Sequence, residues 1–288
     1  LQNYKRSFNP EHKLMLRQKI RPRVKGISFN RIIPNLLTIL GLCAGLISIR
    51  SAIHGRFNEA VIAILIAACF DGLDGRIARL LRGTSRFGAE LDSLVDFLSF
   101  GVAPSLVLYL WSLKNGGDYS FIPCAIFTVC MALRLARFNA ALDDNKPQYA
   151  SNFFTGVPAP AGAGIVLFPV FLGLESKHYQ IDFLNSIAHS EILTITILVI
   201  TSFLLISTLP IWSFKNFKIP TPYVMPIFLS TCIFATILVA DPWGTLALSG
   251  ILYLGLIPLS YRSYHRLKAD AQTILVKTKK GEDFLNKN

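Results

Sequence analysis

The chain has little from which to build a soluble metal or redox centre. Its five cysteines, Cys43, Cys69, Cys124, Cys130 and Cys232, fall inside apolar blocks, form no C-x-x-C pair and have no histidine at ligand spacing. That excludes a zinc or dithiol motif and leaves small buried thiols as the reading. Histidine is as sparse: His12, His54, His178, His189 and His265 sit in terminal segments or loops without clustering, so no imidazole chemistry is assigned to them. Charge is also scarce, at 16% of 288 residues, too little for an ordinary soluble domain. Low-complexity tracts and internal repeats are absent as well.

What fills the sequence is hydrocarbon. Hydrophobic residues make up 52% and the mean hydropathy is +0.47. They come in blocks of the roughly 20 residues that cross about 30 Å of bilayer core. Eight spans are expected, at 33–53, 58–78, 88–111, 121–140, 157–174, 192–212, 224–240 and 243–261. Lipid offers backbone polar groups no partner, so the expected fold is all-α, a polytopic membrane helical bundle of about eight transmembrane helices. It divides into a basic N-terminal segment (1–31), one transmembrane domain (32–261) and a basic tail (262–288), flexible and polar from Lys268 onward.

The net charge of +12 raises nucleic acid as a partner, and the placement of the charge argues against it. Nine bases run from Lys5 to Arg31 beside one acid, Glu11, and seven more follow Tyr261. Flanks of this kind fit cytoplasmic ends on anionic membrane lipids. With both termini inside, alternate connections carry Arg50, Arg56, Lys114 and Lys177 outside. Inside are Arg76, Arg79, Arg82, Arg86, Arg134, Arg137, Lys146, Lys215 and Lys218. Apolar residues scattered through 1–31 fit an interfacial amphipathic helix. Pro10 and Pro22 fit a solvated basic arm instead. A cleaved signal peptide is not expected, because a long basic segment precedes a first block of spanning length.

Against this background four aspartates stand out. An ionised Asp within a membrane costs about 2.5–3.5 kcal/mol on insertion scales. Asp71, Asp74, Gly75 and Ala78 follow an i, i+3, i+4, i+7 pattern on one helical face, and Gly88, Asp92 and Asp96 are spaced by four on another. Gly83, Thr84 and Ser85 can turn the chain between them, so that the two faces converge. Two hard divalent cations, Mg²⁺, Mn²⁺ or Ca²⁺, would balance four such charges. The small residues would let a diphosphate approach, which suits metal-assisted phosphoryl chemistry. The bland alternative is ion pairing with Arg76, Arg79, Arg82 and Arg86. Glu90 points away from Asp92 and is read as an interfacial acid.

Written out, these residues are D-x-x-D-G-x-x-A-R-x8-G-x-x-x-D-x-x-x-D, a pattern that resembles the signature of the CDP-alcohol phosphatidyltransferase family. The resemblance extends to Pro34-Asn35-Leu-Leu-Thr38 and covers about residues 30–210. It implies that Asp71, Asp74, Asp92 and Asp96 bind two divalent cations, Mg²⁺ or Mn²⁺, with Asp96 also the base. Asp74, Gly75, Ala78, Arg79 and Gly88 would then shape the CDP site, with Asn35 and Thr38 near the nucleotide; a Pro-Asn turn at a helix start is the other reading of that pair. The stretches Arg134-Leu-Ala-Arg137-Phe-Asn139 and Phe154-Thr-Gly156-Val-Pro158-Ala-Pro160 resemble the phosphatidylserine synthase branch. That implies CDP-diacylglycerol and L-serine as substrates, with Arg134, Arg137 and Asn139 near the acceptor. Glycerol 3-phosphate, inositol phosphate and choline are rival acceptors, and an intramembrane prenyltransferase or a cation-coupled transporter are rivals of other classes. The resemblance further implies a homodimer in a bacterial cytoplasmic membrane, with the active site facing the cytoplasm.

Overall fold

The computed structural model describes residues 29–81, 83, 85–140, 153–212 and 221–285. The N-terminal segment up to residue 28, Arg82, Thr84, Lys146, Lys215, Lys218 and the last three residues of the tail lie outside the described residues.

Helix α1 (Phe29–Ile53) and helix α2 (Phe57–Leu80) form an antiparallel hairpin. Pro34 is tolerated inside α1 because it forfeits only a bond to the first turn. The hairpin closes through Gly55, at φ +72°, with Gly55 N–H donating to Ala52 O and Arg56 N–H to Ser51 O, both at 2.9 Å. This is the Schellman arrangement, and it needs the left-handed residue that glycine supplies. Buried Ala44, Ala52, Ala60, Ala63 and Ala67 let the pair pack closely without any hydrophobic drive from lipid.

Helix α3 (Arg86–Leu113) follows after a short turn. It carries two π-helical stretches, Phe97–Val102 and Tyr109–Leu113. The first adjoins Pro104, which has no N–H for the carbonyl four residues back, and widening the helix absorbs that break. Helix α4 (Asp118–Ala140) returns. Strand β1 (Phe153–Thr155) pairs antiparallel with β2 (Pro210–Trp212), Phe153 opposite Trp212 and Thr155 opposite Pro210. Between them lie α5 (Ala159–Val166), α6 (Phe168–Tyr179), α7 (Asp182–Ala188) and α8 (Glu191–Ile206). Further along the described residues come α9 (Val224–Ala240) and α10 (Pro242–Leu285).

The bundle core contains Phe100, Leu108, Phe127, Met131, Leu167, Leu198 and Leu205, all buried. Trp111 fastens the end of α3 away from the aspartates. Its Nε1 donates to Ala188 O at 2.8 Å, its ring stacks on His189 at 4.2 Å and meets Phe57 edge-on at 4.9 Å. Gly173 on α6 lies against the indole, leaving no room for a side chain.

The all-α membrane expectation holds, with refinements. Five helices are long and apolar enough to cross a bilayer, or seven if each bent pair is one span, so the expected eight are not matched one for one. Helix α2 is not among them because its acids and arginines make it too charged. Pro169 helps to explain the 48° bend between α5 and α6, and α7 meets α8 at 50°. The span expected at 192–212 stops at Ile206, and its end becomes the ribbon strand β2. The tail expected to be flexible continues α10 to Leu285, in keeping with helix formers such as Lys268, Ala271 and Gln272. Cys124 and Cys130 are buried as expected, but Cys43, Cys69 and Cys232 face outward, where lipid gives an apolar thiol an equally suitable setting.

Gly156 combines φ +77° with a tight site: a Cβ there would lie 2.8 Å from Ser207 O and 3.1 Å from Leu205 O. Gly156→Ala should therefore destabilise the fold by about 2 kcal/mol or more. Gly164→Ala, with nothing within 4 Å of the new Cβ, should be near neutral. Thermal unfolding of both variants in detergent checks the contrast.

Candidate active site

The turn between α2 and α3 decides the geometry of the site. Leu81 N–H donates to Ile77 O and Gly83 N–H to Ala78 O, each at 2.9 Å, ending α2. Two residues later Ser85 caps α3, its hydroxyl accepting from Gly88 N–H at 3.0 Å. So short a connection makes the helices antiparallel neighbours. Asp71 and Asp74 descend on one, Asp92 and Asp96 on the other.

One carboxylate oxygen from each of Asp71, Asp74 and Asp92 lies within 4.8 Å of the others. Asp96 lines the same small, closed space, together with Thr38 and Ser99. The Thr38 hydroxyl donates to Asp74 Oδ2 at 2.6 Å, which ties α1 to the acids and fixes the most buried of them, 5% exposed. Asp92 Oδ1 and Asp96 Oδ1 are buried with no hydrogen-bond partner. Among the described residues no ion pair joins the acids to Arg76, Arg79 or Arg86. The bland alternative of interfacial ion pairs is thus not what holds them. Converging buried carboxylates with orphaned oxygens fit hard divalent cations, whose oxygen donors these would be.

Above the acids opens a cleft of about 200 Å³ lined by Pro34, Asn35, Thr38, Asp74, Gly75, Ala78, Gly83, Ser85, Gly88, Ala89 and Asp92. It brings together Asn35, Thr38, Asp74, Gly75, Ala78 and Gly88 from the sequence-derived set. Small side chains matter here for different reasons. A Cβ on Gly75 would meet nothing within 4 Å, so it would project into open space, whereas one on Gly88 would lie 2.9 Å from Asn35 Oδ1. Pro34 and Asn35 sit inside α1 rather than in a turn at its start.

Arg79 does not line the cleft. Its Nε donates back to Gly75 O at 3.0 Å, leaving the side chain exposed. The three residues of α4 diverge. Arg134 donates from Nε to Val157 O and acts electrostatically on Asp96. Arg137 donates to Ile206 O at 2.6 Å and Ser207 O at 3.2 Å, serving the carbonyls that end α8. Asn139 shares a hydrogen bond of 3.0 Å with Ser93, beside Asp92. The sequence reading missed Ser93 and the capping role of Ser85. A serine three residues before Gly88 at the start of an apolar helix was the available signal for the cap; Ser93 had none.

Comparison with known proteins adds a second line. The family model described as CDP-alcohol phosphatidyltransferase matches residues 31–203, and one described as CDP-alcohol phosphatidyltransferase 2 matches residues 222–258. The chain is similar to the CDP-diacylglycerol–serine O-phosphatidyltransferase of Mycobacterium leprae, 38% identical over 86% of this chain and 81% of that protein. The enzyme of the same name from Helicobacter pylori is 34% identical over 77% of this chain and 88% of its own length. The archaetidylserine synthase of Methanothermobacter thermautotrophicus is 34% identical over 62% and 68% respectively.

If the acids hold cations, Asp92→Asn should weaken Mn²⁺ binding by about tenfold or more, since it removes a charged donor whose oxygen has no other partner. Asp118→Asn, on the 3₁₀ turn that starts α4, should leave it unchanged. Titration of the purified protein by calorimetry or Mn²⁺ paramagnetic resonance reads both.

Proposed function

The chain belongs to the CDP-alcohol phosphatidyltransferase family, and from that premise we propose that it transfers the phosphatidyl group of CDP-diacylglycerol to the hydroxyl of L-serine, releasing CMP. The observation that carries phosphatidyl transfer is the convergence of Asp71, Asp74 and Asp92 at the floor of a cleft walled by Gly75, Ala78 and Gly88. Serine as the acceptor is supported by the relatives named for that reaction in Mycobacterium leprae and Helicobacter pylori.

In this reading Asp71, Asp74, Asp92 and Asp96 would hold two divalent cations, Mg²⁺ or Mn²⁺. Such ions, when bound, supply charge neutralisation for the diphosphate and for the departing CMP. Thr38 keeps Asp74 oriented through its short hydrogen bond. Gly75, Ala78 and Gly88 give the nucleotide a close approach, with Asn35 within reach and Arg79 at the rim. Asp96 accepts the serine hydroxyl proton as the oxygen attacks the phosphorus bearing the diacylglycerol. The bond from that phosphorus to the bridging oxygen breaks, and CMP leaves with the electron pair. Arg134 faces the acceptor carboxylate, Asn139 offers an amide, and Arg137 secures the wall behind them through the end of α8.

The chain functions as a homodimer in a bacterial cytoplasmic membrane, its cleft facing the cytoplasm, with the transmembrane domain at 32–261 between two basic flanks that lie on anionic lipids. Acyl chains enter sideways between helices, from the lipid that surrounds the bundle.

Supplying CDP-diacylglycerol with labelled serine, glycerol 3-phosphate, inositol phosphate or choline in separate reactions tests the acceptor. CMP release and lipid labelling are expected with serine; their absence with serine defeats the proposal. Asp96→Asn should cut kcat by about 10²–10⁴-fold, the range for a lost general base. Turnover near wild type would remove Asp96 from that role.

A further inference from the structure

The acids border two spaces of different character. The cleft reaches Asp74 and Asp92 from the open side. Behind it, the closed space is bounded by Asp71, Asp74, Asp92 and Asp96 together with two hydroxyls, those of Thr38 and Ser99. It has no room for a water molecule, so a cation's donors on that side must come from the walls. A hard divalent cation takes about six oxygens. On the cleft side water or a diphosphate can make up that number; on the walled side only protein oxygens can.

The two hydroxyls differ in what they have left to give. Thr38 directs its proton at Asp74 Oδ2, at 2.6 Å, and so already serves an acid. Ser99 is fully buried, and its one hydrogen bond among the described residues is a long donation of 3.4 Å to Gly41 O. That carbonyl lies inside α1, where the N–H four residues on already claims it. With its proton turned to Gly41, the Ser99 oxygen keeps both lone pairs free. Asp92 Oδ1 and Asp96 Oδ1 are buried without a partner, so three residues of α3 that line this space each carry an oxygen lacking a strong partner.

The backbone seats Ser99 there. It falls in the π-helical stretch that directly follows Asp96, a deviation frequent at functional sites. Opposite it α1 presents Gly45, where a Cβ would lie 2.6 Å from Ser99 Oγ and 3.3 Å from Ser99 Cα. The missing side chain gives the hydroxyl its place.

We propose that Ser99 is a further ligand of the cation cluster, a neutral oxygen donor on its walled side. This rests on the cation reading above and adds to it a donor outside the aspartate motif. Neutrality matters because four carboxylates already match the charge of two divalent ions. A fifth would leave uncompensated charge in a buried place, which is costly, whereas a hydroxyl adds a donor and no charge.

Purified full-length protein would be titrated with Mn²⁺ by calorimetry and paramagnetic resonance. Ser99→Ala should weaken Mn²⁺ binding about tenfold. Ser105→Ala removes another buried hydroxyl of α3, one engaged with Val102 O and Thr128, and should leave binding unchanged. Ser99→Cys exchanges a hard donor for a soft one. It should move the preference from Mn²⁺ toward Cd²⁺ by about tenfold or more and give a thiolate–Cd²⁺ absorption band. A packing role for Ser99 predicts neither. Mn²⁺ affinity of Ser99→Ala within twofold of wild type overturns the proposal, and so does Cd²⁺ binding by Ser99→Cys without the thiolate band. Should Ser99→Ala fail to fold, judged by thermal unfolding without metal, the Cys variant decides alone. Wild-type protein that binds no Mn²⁺ would overturn the cation reading itself and this proposal with it, so the two failures are distinguishable.

Discussion

Four carboxylates held together at the edge of a hydrocarbon layer must find positive charge, and the rest of the molecule is arranged around that requirement. The arginines nearest in sequence do not provide it: among the described residues none of Arg76, Arg79 and Arg86 pairs with an acid. Mutual repulsion and desolvation together would exceed what packing alone returns at a single site. In the reading proposed above the cluster is a receptor for cations rather than a set of ion pairs, and the open, small-residue walls beside it are where a diphosphate would complete the charge balance.

The supporting structure follows from that demand. A turn of a few residues, closed by Gly83 N–H and capped by Ser85, is short enough to oppose the two acidic faces. Helix α1 is pinned across them by the Thr38–Asp74 bond, and the small residues along α1 and α2 give that pin its short reach. Directly after Asp96 the helix widens into π geometry to accommodate Pro104. A local backbone irregularity thus adjoins the proposed base, where such bulges are often found.

Much of this was legible in the sequence, and the reason is periodicity. Asp71, Asp74, Asp92 and Asp96 declare their faces by helical spacing alone, and Gly75, Ala78 and Gly88 declare the open wall. The hairpin of α2 and α3 followed from Gly83 and Ser85. Less legible were features that depend on distant chain. The β1–β2 ribbon joins segments more than fifty residues apart in sequence and leaves only short, irregular signals. Arg137 looked available to a ligand because nothing in the local sequence reveals that the end of α8 arrives beside it needing donors. Arg79 likewise sits in the motif yet turns back on its own helix. The span count was blurred because hydropathy does not register bends such as that at Leu167, and because the acids themselves make α2 too polar.

Trp111 lies fifteen residues beyond Asp96 along α3, roughly 20 Å at the usual rise of a helix. Through Ala188, His189, Phe57 and Gly173 it binds four helices into a single knot. The short turn closed by Gly83 and capped by Ser85 ties α2 to α3 at the opposite pole, so the two helices are fastened at both ends, like ladder rails held at top and bottom. The spacing of the acids between those two fastenings is then a property of the frame, set before any ligand arrives.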